Sequence, residues 1–115
     1  MKANEVMIGD WVYNEVPCYV TAIYPNGTMD CQGDDWAIST DRVEPIPLTE
    51  EILEKNGFEK CKIPEIEYIG WRLNEEFSVE LNAVDDFDWN DVHIAYVHQL
   101  QHALRLCGIK KEIEI

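Results

Sequence analysis

His98 and His102 stand four residues apart in the stretch YVHQLQHALRLCG, residues 96–108. On a helix they sit about 40° apart around the axis, so two imidazoles could share a zinc ion. They are the weak metal-ligand candidates of this chain, and a third ligand would have to come from elsewhere. The zinc-hydrolase signature H-E-x-x-H fails, because Gln99 stands where the catalytic glutamate belongs and an amide is no general base. His93, read on the same helix, lies about 140° from His98 and cannot join the pair. The spacing Asp86-x-Asp88-x-Asn90 opens like a calcium loop. Its sixth position is Asp91 rather than glycine and its twelfth is Val97 rather than glutamate, so both demanding positions fail.

Nucleophiles are scarce. The serines are Ser39 and Ser78, and neither lies in a G-x-S-x-G elbow. A Cys107 pair with His93 or His102 is conceivable, but the helical pattern points Cys107 at the core, where a thiol is inert. No Gly-rich phosphate loop is present. The chain therefore reads as no enzyme, with no catalytic residue and no cofactor. Of the tryptophans Trp11, Trp36, Trp71 and Trp89, the last sits between Asp88 and Asn90 in a polar run, which makes it the candidate interaction anchor.

The elements that must position these residues fall into two groups. Residues 5–46 read as five short strands: MIGDWVY, PCYVTAIY, TMDCQ, WAIST and a last strand held by Val43 and Ile46, with PNG at 25–27 and GDD at 33–35 as turns. This pattern suggests a small β-barrel of the Src-homology-3 type over residues 1–47. Residues 48–115 read as an α+β unit packed with it into one compact whole. Thr49 caps a helix that Gly57 stops. FEKCKI, IEYIGWRL and FSVELNA are strands, and Phe77, Val79 and Leu81 alternate with polar residues as on a sheet with one wet face. VDDFDWND reads as a loop. A final helix runs from Val92 to Cys107, capped by Asn90 or Asp91. Tyr96, Val97, Leu100, Ala103, Leu104 and Cys107 share its core face; His98, Gln99, Gln101, His102 and Arg105 lie on its wet side. IKKEIEI closes the chain as an edge strand.

Composition excludes several functions. The chain of 115 residues carries 9 bases and 23 acids, a net charge of −14, spread without a basic patch. Such a field repels phosphate backbones, so direct nucleic-acid binding is not expected. It permits an acidic protein that occupies another protein's nucleic-acid groove. No apolar run nears the roughly 18 residues of a membrane span. Asn4 and Glu5 break any signal peptide, so the chain reads as full length and cytoplasmic. No two of Cys18, Cys31, Cys61 and Cys107 have metal or redox spacing, and they read as independent buried thiols.

Three blocks, MKANEVMIGDWVY at the start, IPLTEEILEKNGFEK in the middle and YVHQLQHALRLCG near the end, resemble an uncharacterised family of small proteins from gut anaerobic bacteria and their phages and mobile elements. The resemblance covers most of the chain in the same order and brings no catalytic residues. It implies an accessory gene product rather than a core metabolic enzyme. That family often continues the last helix with aromatic residues and a short acidic tail, where this chain has HALRLCGIKKEIEI. Three functional classes follow. The leading one is a non-catalytic module that binds an unknown protein partner, of undefined oligomeric state. The others are an acidic nucleic-acid mimic that inhibits a DNA-binding host protein, and a small metal-dependent hydrolase.

Overall fold

The computed structural model describes residue 1 and residues 5–33, 36–63 and 68–115, without the side chains of Ile63 and Tyr68. The chain is α+β, with two α-helices and two antiparallel sheets among the described residues, and it divides into Met1–Ile46 and Pro47–Ile115.

In the first unit, β1 (Trp11–Asn14), β2 (Val16–Ile23), β3 (Thr28–Cys31), β4 (Ile38–Ser39) and β5 (Glu44–Pro45) form one sheet in the order β4-β3-β2-β1-β5. A single residue, Glu15 at φ 63, links β1 to β2, so Asn14 pairs directly with Val16. Pro25–Gly27 turns β2 into β3. Asn26 Oδ1 accepts from the amide and hydroxyl of Thr28, and Gly27 takes the left-handed φ of 83 that the turn requires. Strand alternation then aims Val12, Cys18, Val20, Met29 and Cys31 at one face, where Val6 and Val43 complete the core. Between β4 and β5 the chain makes a short 3-10 turn, Thr40–Arg42. The α-amino group of Met1 donates to the carbonyls of Thr40 and Val43, at 2.9 and 2.8 Å. The closed barrel expected from the sequence is not found. β4 and β5 are the sheet's two edges, and no pairing among the described residues joins them. Two-residue strands leave too short a ladder for closure. Of the GDD turn, Asp34 and Asp35 lie outside the described residues, as do Lys2, Ala3 and Asn4 of the first block.

In the second unit, Thr49 caps α1 (Glu50–Lys55) by accepting from the Ile52 amide at 3.2 Å. Gly57 at φ 86 ends the helix, and the Phe58 amide returns to the Leu53 carbonyl at 3.0 Å. Five strands follow: β6 (Glu59–Ile63), β7 (Tyr68–Arg72), β8 (Ser78–Ala83), β9 (Asp86–Trp89) and β10 (Val92–Ile94), in the sheet order β10-β9-β8-β7-β6. The expected β7 strand began earlier, at Ile66 and Glu67, which lie outside the described residues. One face of this sheet is apolar: Trp71 opposes Val79, Leu81 opposes Phe87, and Phe87 opposes Ile94. Glu50 fastens α1 to that face by accepting from the Trp71 indole at 3.0 Å and pairing with Lys60 at 3.2 Å.

Three expectations are corrected here. Residues 84–91 are not a loop, and the last helix does not begin at Val92. They form the β9–β10 hairpin, joined by Asn90 and Asp91 at φ 47 and 65, the two left-handed residues of a tight two-residue turn. The helix, α2 (Val97–Leu106), starts later because Gln99 Oε1 accepts from the amides of Ala95 and Tyr96, at 2.8 and 3.2 Å. The chain end is not an edge strand either. Asn56 exchanges two hydrogen bonds with Glu114, at 2.7 and 2.8 Å, and so holds the tail at the end of α1 with Ile113 buried. Among the described residues no helix is long and apolar enough to cross a membrane.

Candidate functional site

The β9–β10 hairpin is where chemistry-bearing side chains gather. Phe87 and Ile94 point to the core, so the pleat sends Asp86, Asp88 and His93 to the opposite face. His93 is the cross-strand partner of Asp88. Its Nδ1 lies 3.2 Å from Asp88 Oδ1 and 3.3 Å from Asp86 Oδ1. The ligating atoms of all three lie within 4.8 Å of one another. All are reachable from solvent: Asp86 and Asp88 are half-buried and His93 is exposed. A bulge between Leu81 and Ala83 sets Asp86 opposite Ala83, and Glu80 flanks Asp88 on its other side.

Where the edge strand β10 meets α2 there is an open pocket of about 200 Å³, lined by Trp89, Val92, His93, Ile94, Gln99, His102, Ala103 and Leu106. That is below the roughly 300–1,000 Å³ of small-molecule sites. It suits one apolar side chain rather than a cofactor. Val92 and Leu106 on its rim are 56% and 79% exposed, so they are unburied apolar surface beside a hole. Trp89 forms a wall and does not project. It is half-buried and stacked on Phe77, with ring centroids 5.8 Å apart.

The helical histidines differ from expectation. His98 and Gln101, placed on the wet side, are buried, because α2 is covered round most of its circumference. His98 stacks on Tyr96 at 5.9 Å and meets the edge of His102 at 5.5 Å. Among the described residues, the His, Cys, Asp or Glu atoms gathered at metal-ligand range are those of Asp86, Asp88 and His93, not a set built on His98 and His102. Cys107, expected in the core, is exposed past the end of α2, and its placement removes the inert-thiol argument. Cys18 and Cys31 are buried and Cys61 is half-buried.

Sequence reasoning missed two features. His93 fits a helical period, although an Asn-Asp pair between DFDW and VHI is a legible hairpin signal. Trp36, 83% exposed, is the outlying tryptophan in place of Trp89, and nothing in its local sequence separates the two. No family model, curated protein or solved structure matches the chain.

Proposed function

We propose that this chain is a non-catalytic protein-interaction module and that the pocket between β10 and α2 is its docking site. The occupant is an extended peptide segment that inserts one apolar side chain and carries lysine or arginine beside it. The observation behind this reading is the pair of exposed apolar side chains, Val92 and Leu106, flanking a cavity walled by Trp89. Apolar anchors in a small pocket carry most of the energy of peptide docking. The basic character follows from charge. Residues 84–94 hold Asp85, Asp86, Asp88 and Asp91 and no lysine or arginine, in a chain of net charge −14.

The strand order of the first unit and its 3-10 turn before the last strand also support reading it as a strongly bent sheet of the Src-homology-3 kind. A reducing compartment such as the cytoplasm suits the exposed Cys107 and half-buried Cys61. An accessory or phage-derived origin rests on the three sequence blocks. Nucleic-acid mimicry is a weaker use of the same charge, because Asp86 and Asp88 close on His93 rather than forming an open row of carboxylates.

The test is selection from a phage-displayed library of random dodecamers on the whole chain. Enriched peptides should pair an apolar residue with Lys or Arg, and Leu106→Glu should abolish their binding. Peptides without basic residues, or peptides that bind the Leu106→Glu chain equally well, would overturn the reading.

A further inference from the structure

We propose that Asp86, Asp88 and His93 form a site for a divalent transition-metal ion, zinc foremost, on the outer face of the β9–β10 hairpin. The proposal does not rest on the docking reading, although His93 also lines the docking pocket. It departs from the expectation of no cofactor and places the metal away from His98 and His102.

The geometry is that of a ligand set. Zinc bonds to imidazole nitrogen and carboxylate oxygen are about 2.0–2.2 Å long, so neighbouring ligand atoms in tetrahedral or octahedral arrangement lie about 2.8–3.6 Å apart. The His93 Nδ1 distances to Asp88 and Asp86, 3.2 and 3.3 Å, fall in that window. The three ligands come from paired positions of two short strands, and the two-residue turn at Asn90–Asp91 fixes their register. The backbone therefore brings the three side chains to one face of the hairpin before any ion arrives. An imidazole with two carboxylates suits zinc and its first-row neighbours better than calcium, which takes six to eight oxygens. Three protein ligands also leave coordination positions for water.

Charge points the same way. β8, β9 and β10 carry Glu80, Asp88 and His93 in one cross-strand row, with Asp86 beside it. With the imidazole neutral, the three carboxylates repel one another on one face of the sheet, and a dication relieves that repulsion. The competing occupant of the same position is a proton on His93, which would pair with both aspartates and need no metal.

The experiment uses the whole chain, purified without an affinity tag, stripped with chelator and titrated with zinc sulfate by calorimetry. The expected result is one zinc per chain, with binding weakened more than about tenfold by His93→Ala and by Asp88→Asn. His98→Gln with His102→Gln should leave it unchanged. Nitrogen-15 NMR of the imidazoles, which needs no refolding assumption, should show Nδ1 of His93 shift on zinc addition. Equal zinc affinity in the parent and in Asp88→Asn, or loss of binding in the His98/His102 double variant alone, would overturn the assignment. So would a His93 signal that ignores zinc.

Discussion

Both sheets are five-stranded and antiparallel, the second a simple meander and the first with β5 crossing over to pair with β1, yet they build their cores in opposite ways. The first unit gathers small and flexible side chains, Val12, Cys18, Val20, Met29, Cys31 and Val43, on the sheet's own inner face, with no α-helix of its own among the described residues. The second buries large side chains, Phe77, Phe87, Leu53, Leu100 and Leu104, between a sheet face and two helices. That difference decides where chemistry can sit. A sheet covered by helices on one face frees its other face for a regular array of polar groups, which is where Asp86, Asp88 and His93 stand. The meeting of edge strand and helix leaves the pocket.

The contrast can be broken by substitution, beginning with the largest effect. Phe87 is fully buried in the centre of the second core. Phe87→Ala should cost about 3–5 kcal/mol and Leu100→Ala about 2–5 kcal/mol by denaturant titration. A cost below half a kcal/mol for either would mean that the helix-covered face is wrongly assigned. Val12→Ala, in the first core, removes two methyl groups and should cost about 2 kcal/mol. If it matched Phe87→Ala, the distinction between a small core and a large one would collapse. Trp36→Ala, at an exposed position of the first unit, should stay within about 0.5 kcal/mol. A larger loss would place Trp36 in a packed environment.

The smallest effect concerns the surface of the first sheet. The Tyr24 hydroxyl donates to Asp30 at 2.5 Å. That hydrogen bond, then the charge of Asp30, raises the Tyr24 pKa above the ordinary tyrosine value. Because the folded value is raised, the associated stabilisation is full below the ordinary value and is lost as pH climbs past the raised one. Asp30→Asn should let Tyr24 ionise at lower pH in a phenolate absorbance titration. An unchanged titration curve would remove the interaction from the account.

Much of the architecture could be read from local signals with strong physical causes. Thr49 and Gly57 bracket α1, the PNG turn joins β2 to β3, and Phe77, just before β8, and Val79 within it mark that strand's buried face. The site itself was less legible, because one pattern carried two meanings. His93, Tyr96 and Val97 extend the helical period of α2 backwards, so a helix from Val92 fits the spacing. The backbone instead turns at Asn90–Asp91, and Gln99 restarts the chain as a helix. Once Val92 and Ile94 belong to a strand, His93 changes partner from the helix edge to Asp88. Burial of His98 and Gln101 was hidden for a related reason: periodicity reveals one apolar stripe and is silent on a helix covered by polar contacts as well. The tail alternates like a strand, but Asn56 takes up its backbone groups.

The central claim is that the meeting of β10 and α2 is the contact surface. It is tested most directly by NMR, by titrating the whole chain with a library-selected peptide and following the Trp89 indole and the methyl groups of Val92, Ile94 and Leu106. The account expects the largest shifts at these four residues, with the first unit's Val12, Val20 and Met29 unmoved. Saturable binding whose shifts fall on the first unit, or on β6 at the opposite edge of the second sheet, would contradict it.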